Sequence, residues 1–294
     1  MLSQFLAVYG DLMAFIGINA LLALSLYVTL SAGLLSLGNA AFAAIGGYTA
    51  GILSMHYHAP YLASLTAGAL AAGGVAFAIG LPVLRLRGVY LAMATLAFGE
   101  VVRIAAVNLD ITGGAQGLVG IPNHTRGWLI YLMLTAACYL MAKLRGSRLG
   151  WALESIREDE TAAASMGINT ATTKTFAFAL GAVIAGLAGG LYAHLHFIIA
   201  PREFGFSMAV DLLVFNIVGG TRRWYGPLLG TVLLTALPEV LRGIGVAAGP
   251  LRMFTNGLIL LLVILFLPNG LISLFQPRKQ AASTSKAVVL TAKG

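Results

Sequence analysis

A chain of 294 residues that is 59% hydrophobic and 10% charged cannot cover itself with water-compatible surface, because soluble domains carry about 25% charged residues. Its net charge of +8 comes from Lys and Arg set between apolar stretches and in the C-terminal tail; no continuous basic face suits nucleic acid, and the charges read as topology signals. A single Cys138 excludes an intramolecular disulfide and fits apolar packing.

Bilayer hydrocarbon is roughly 30 Å thick and is crossed by about 20 helical residues. Apolar stretches of that kind run in chain order over 11–32, 35–55, 61–84, 88–107, 128–144, 172–195, 205–220, 226–244 and 252–268. They predict an all-α, polytopic integral membrane protein of about nine transmembrane helices, within a range of roughly eight to ten. No basic segment precedes the first stretch and no small-residue cleavage site follows it, so the first helix is expected to be retained. The stretch 205–220 is short, holds Asp211 and ends in Gly219-Gly220, which leaves a re-entrant or broken segment as the alternative to a crossing.

With the N-terminus outside, most of the Lys and Arg residues fall on one side: Arg85, Arg87, Lys143, Arg145, Arg148, Arg157, Lys174, Arg222, Arg223 and the tail. That side is read as cytoplasmic, and the bias weakens if 205–220 does not cross. Residues 1–275 read as one transmembrane domain, with a polar loop at 147–173. After Gln276 the chain is Ala/Ser/Thr/Lys-rich without acidic residues, and 276–294 reads as a disordered basic cytoplasmic tail.

Candidate chemistry is sparse. His56/His58 and His194/His196 lie at external span ends, but residues two apart on a helix point about 200° apart, so zinc binding needs locally extended backbone; interfacial polar residues are the plainer reading. The Gly-rich run 113–117 lacks the Lys of a phosphate loop. Gly181, Ala185, Gly189 and Ala193 recur four apart, which permits close helix approach within the bundle or at a subunit contact. Glu100, Asp211, Glu239 and Arg103 are ionisable residues within spans and therefore functional candidates; Glu100 and Arg103 are spaced for a local ion pair, or for lining a water-filled path. Asn39 and Asn216 suit either a translocation path or hydrogen bonds between helices.

The loop from Ser147 to Thr173 is the most informative segment. Leu149, Leu153 and Ile156 repeat at helical spacing beside Glu154, Arg157, Glu158, Asp159 and Glu160, and a second short turn, Thr161 to Met166, ends at Gly167, which fits a helix C-terminus. Two short surface helices, apolar on one side, suit insertion into a groove of a partner protein; ordinary solvated loop helices are the alternative.

REDE at 157–160, followed by AAxxMGIN and preceded by RLG, resembles the cytoplasmic coupling loop of branched-chain amino-acid ABC importer permeases. LSLGNAAFAAIGGYTAG at 35–51, RLRGVYLAMATLAFGEVVRI at 85–104 and TGGAQGLVGIP at 112–122 are similar to the M-type subunit, and AGLAGGLYA, GPLLG at 226–230 and LFLPNGLI follow in the family's order. One departure is GGTRRWYGP at 219–227, where relatives usually have an uncharged Gly-rich run; Arg222 and Arg223 there suit a contact to the ATPase or to lipid headgroups.

The resemblance implies a permease subunit that pairs with a homologous second permease, two cytoplasmic ATPase subunits and an external or periplasmic substrate-binding protein, in a bacterial or archaeal inner membrane. The chain itself would bind no cofactor and no metal, ATP and Mg belonging to the ATPase partners. Carried over by motif, the ATPase-coupling contact falls on Glu154, Arg157, Glu158, Asp159, Glu160, Ala163, Met166 and Gly167, with Asn39, Glu100 and Asn216 as translocation-path candidates. Branched-chain or related hydrophobic amino acids are the expected cargo; urea, short amides or aromatic acids are alternatives within the family. Outside it stand an ATP-independent secondary transporter, for which no internal duplication is visible, and a membrane enzyme using His194 or Glu100.

Overall fold

A computed structural model describes residues 2–123, 125, 127–243, 257, 261 and 271. Each of the first eight expected stretches carries a helix: α1 (Leu2–Ser31), α2 (Asn39–His56), α3 (Tyr61–Val83), α4 (Val89–Asn108), α5 (Gly127–Arg145), α8 (Thr170–His196), α9 (Phe206–Gly219) and α10 (Gly226–Gly243). Two short helices, α6 (Arg148–Glu158) and α7 (Glu160–Ser165), fill the polar loop. The expected stretch 252–268, apart from 257 and 261, and the tail 276–294 lie outside the described residues, as does the side chain of Glu239.

Among the described residues five helices are long and apolar enough to cross a bilayer, namely 10–31 of α1 and all of α3, α4, α5 and α8. The 14-residue α9 reaches only about 21 Å at 1.5 Å per residue, short of the roughly 30 Å core. It begins after the 3-10 turn Pro201–Phe204 and ends at Gly220, whose φ of +95° stops the helix.

The bundle is built around α1 and α8. Ile18, Leu21, Ala23, Leu24 and Val28 of α1 have no exposed surface, and α8 packs on α1, α2 and α3. Small residues make this possible: a methyl at Gly189 would collide with the Ala43 carbonyl of α2, and one at Gly181 would press on the Ser25 carbonyl of α1. Where lipid offers no hydrophobic drive for association, such backbone approach supplies the dispersion contacts that hold helices together. The Gly181–Ala193 stripe thus packs inside this bundle.

The second expected span starts late. Residues 34–37 are irregular, since Gly33 at φ +72° ends α1. This segment is tied to α4, where the Thr95 hydroxyl accepts from the Leu37 N–H at 2.9 Å, and Ser36 is fully buried. Non-helical backbone inside a membrane protein is tolerated where protein covers it in this way.

At the end of the bundle opposite α6 and α7, the loop after α4 meets the loop after α8 in a two-residue antiparallel pair, Leu118–Val119 with Ile198–Ile199. By contrast α4 and α5 turn large apolar side chains outward, among them Met93, Val101, Leu132 and Tyr139.

Candidate functional site

The chain turns sharply from α5 into α6. Ser147 caps α6 by accepting from the Gly150 N–H at 3.2 Å, and Gly150 sits so close to the Leu144 carbonyl that a side chain there would collide. α6 packs on α5, α8 and α1. Leu153 and Ile156 are buried, so the apolar face expected to enter a partner is already seated on the chain's own bundle. The free apolar groups are Leu149, Trp151 (66% exposed) and Met166 (84% exposed); sequence spacing missed Trp151 because it lies off the 149–153–156 stripe.

Asp159 separates the two helices. Its backbone is extended, and Oδ1 accepts from the Thr161 hydroxyl at 2.5 Å and from the Thr161 and Ala162 N–H groups at 2.8 and 3.1 Å, capping α7. The Thr161 hydroxyl first, then the two N–H groups, hold its carboxyl below the usual carboxylate range. α7 closes at Gly167, φ +85°, where the Gly167 N–H donates to the Ala164 carbonyl at 3.0 Å and that of Ile168 to the Ala163 carbonyl at 3.1 Å, the helix end expected from sequence.

Two of the carried-over coupling residues face inward. Ala163 is 4% exposed, since its small side chain packs α7 down on α8, and the exposed apolar side chain at this turn is Met166. Glu160 receives the Lys174 ammonium of α8 at 2.5 Å and Arg87, from the turn between α3 and α4, at 3.5 Å. Lys174 is buried and unreadable as a partner from spacing alone.

Arg157 reaches sideways. Its Nη1 donates to the Thr221 carbonyl at 3.3 Å and Nη2 to the Thr221 hydroxyl at 3.2 Å, while its backbone lies against Gly33. Glu154 and Arg157 line a crevice with Tyr27, Arg145 and Arg222, which places one arginine of the divergent 219–227 turn beside α6. Glu154 and Glu158 are exposed.

The three path candidates sit differently. Asn39 donates to the Ser25 hydroxyl at 3.0 Å, and Asn216 to the Ala23 and Leu212 carbonyls at 3.1 and 2.9 Å. Both are fully buried and stitch α2 and α9 to the same turn of α1. Glu100 accepts from Arg103 Nε at 2.8 Å, and more than a third of each side chain is open or nearly so, at 38% and 35%. This pair borders Gly205 at the start of α9.

The His-x-His pairs diverge. His194 has no exposed surface; its Nδ1 donates to the Gly190 carbonyl at 2.8 Å and Nε2 is bonded to the Ser54 hydroxyl at 2.7 Å. His196 stacks on Tyr192 with ring centroids 4.2 Å apart. Among the described residues no group of three or more His, Cys, Asp or Glu is placed to hold a metal ion.

A bundle of apolar helices of spanning length, with paired amphipathic helices seated across one end, defines a multi-pass membrane protein. Residues 8–267 match the family described as branched-chain amino acid transport system, permease component, and the chain belongs to that family. It is 32% identical to the high-affinity branched-chain amino acid transport system permease protein LivM of Salmonella typhimurium, over 91% of this chain and 69% of that one. The Escherichia coli LivM is likewise 32% identical, over 90% and 68%. The autoinducer 2 import system permease LsrC of Yersinia enterocolitica is 31% identical over 48% of this chain and 39% of its own. No solved structure matches.

Proposed function

We propose that the chain is one permease subunit of an ATP-driven importer in a bacterial or archaeal cytoplasmic membrane, carrying branched-chain or related hydrophobic amino acids. An external or periplasmic binding protein delivers the cargo, a homologous second permease completes the membrane unit, and two cytoplasmic ATPases, which hold ATP and Mg, drive it. α6 and α7 face the cytoplasm, consistent with the Lys and Arg bias.

The observation that carries this is the way α6 and α7 are fastened. Leu153, Ile156 and Ala163 anchor them to the bundle, Arg157 ties them to the α9–α10 turn, and Glu160 ties them to α8. Meanwhile Trp151, Met166, Glu154 and Glu158 remain outward. A push on that outer face is passed to α1, α8 and α9 together, which is what a motor protein needs in order to reorient spans. Apolar side chains would fill a groove in the ATPase, and the charges would fix register.

The test is uptake of radiolabelled L-leucine by proteoliposomes holding the chain with its co-purified partners. Uptake that requires ATP and the binding protein is expected. Uptake of urea, a short amide or an aromatic acid in place of leucine reassigns the cargo. Ion-driven uptake by the chain alone overturns the importer.

A further inference from the structure

Between α1, α8, α9 and α10, at the end of the bundle opposite α6 and α7, lies a cavity of about 270 Å³. Pockets for drug-sized ligands run to roughly 300–1,000 Å³, so this one suits a smaller molecule. Arg202, Glu203, Ser207 and Asp211, all exposed, line it together with the half-buried Phe215 and the buried Leu234.

Three features distinguish it from a chance crevice. Charges of both signs open into one chamber whose remaining lining mixes apolar Phe15, Met208 and Leu212 with polar Asn19 and Thr235. Glu203 is held at the rim by the Tyr192 hydroxyl, which donates to Oε2 at 3.2 Å. Asp211, five residues into the apolar helix α9, is among the residues that line the cavity.

We infer that the cavity is a transit site for a zwitterionic α-amino acid with an aliphatic side chain. The planar Arg202 guanidinium matches a carboxylate, the Glu203 and Asp211 carboxylates flank the ammonium, and the side chain points toward Phe215 and Leu234. Exposure of all three charged groups to solvent keeps binding weak enough for release. The inference rests on the amino-acid cargo proposed above and places a recognition step inside this subunit in addition to the binding protein.

The experiment places a thiol in the cavity with Ser207→Cys in a Cys138→Ser background, in membranes containing the chain with its partners. Labelling by a small water-soluble maleimide is timed with L-leucine, with 4-methylpentanoate, which lacks the ammonium, and with isoamylamine, which lacks the carboxylate. L-leucine is expected to slow labelling and the two analogues to leave it unchanged. Adding Arg202→Gln is expected to raise the leucine concentration needed by about tenfold, the size of one lost charge-assisted hydrogen bond. A reagent that does not reach the thiol, a rate indifferent to leucine, or equal protection by either analogue overturns the site. Leucine uptake measured on the same membranes separates the two levels: uptake without protection sinks the site alone, whereas absence of both sinks the amino-acid cargo as well.

Discussion

Arg157 and Thr221 are 64 residues apart in sequence, yet the guanidinium makes two hydrogen bonds to Thr221, at 3.3 Å to its carbonyl and 3.2 Å to its hydroxyl. The contact joins the C-terminal end of α6 to the turn between α9 and α10. It is exposed to solvent, so its value lies in geometry more than in stability: exposed polar pairs contribute about 0–1 kcal/mol.

Replacing Arg157 and Glu158 together with Ala is therefore expected to leave the protein inserted, with a melting temperature close to that of the parent, while substrate-stimulated ATP hydrolysis by the assembled importer is lost. Thr221→Val, which keeps the carbonyl and removes the hydroxyl, should produce a partial loss. Normal stimulation in the double variant, measured in reconstituted vesicles, would remove Arg157 from the coupling path.

Lys174 and Glu160 make a different kind of contact, since the ammonium is 8% exposed and the carboxylate 25%. Removing one member of a fully buried pair costs about 3–5 kcal/mol because the other charge stays desolvated. The partial exposure of Glu160 reduces this, and Glu160→Ala should destabilise the protein by about 1–3 kcal/mol. Combining it with Lys174→Met removes the stranded charge and should restore most of the loss, which detergent-phase thermal unfolding can measure. If the double variant melts no higher than the single one, Arg87 or packing, not the buried ammonium, dominates at this joint.

Asp159 predicts a pH dependence local to α7. Hydrogen bonds to the carboxylate, from the Thr161 hydroxyl above all, lower its folded pKa below the ordinary 3.8. The sign follows from linkage: the unfolded segment binds its proton more tightly than the folded one, so the cap contributes fully above the ordinary carboxylate pKa and is lost as pH falls through the depressed value. Amide exchange at 161–166 should be slow at neutral pH and accelerate in the acid range below 3.8. Asp159→Asn preserves a good cap and should abolish the acid response; exchange that quickens identically in that variant would assign it to another group.

Much of this fold was legible beforehand because span length and hydropathy are physical requirements of the bilayer. The stretches 61–84 and 172–195 became α3 at Tyr61–Val83 and α8 at Thr170–His196. The paired surface helices and the Gly167 stop were equally visible, since amphipathic spacing and a left-handed glycine leave local marks. Contacts across the sequence left none. Nothing near Glu160 announces Lys174, and nothing near Arg157 announces Thr221. The stripe Leu149–Leu153–Ile156 told that one face of α6 is apolar but not which body covers it; in the structure Leu153 and Ile156 meet the chain's own helices. For the same reason the sequence leaves Asn39 and Asn216 open between lining a path and bonding between helices, and only the structure shows which groups they bond, Ser25 and Ala23 of α1.

The glycine packing of α8 yields the sharpest mutational contrast. Gly189 lies against the Ala43 carbonyl of α2, so Gly189→Ala must push two backbones apart, whereas nothing lies within 4 Å of a methyl added at Gly74 on the open side of α3. Overpacking of a tight interior costs about 1–3 kcal/mol, and a rigid carbonyl cannot swing aside as a side chain would. In an exposed helix interior, by contrast, Ala is favoured over Gly by roughly 0.8–1.0 kcal/mol. Gly189→Ala should therefore lower the folded yield and melting temperature while Gly74→Ala leaves both unchanged or slightly raised, read by fluorescence-detected size exclusion after graded heating. Equal behaviour of the two variants would mean that α8 and α2 do not pack backbone to backbone, and the close seating of the central helices would have to be abandoned.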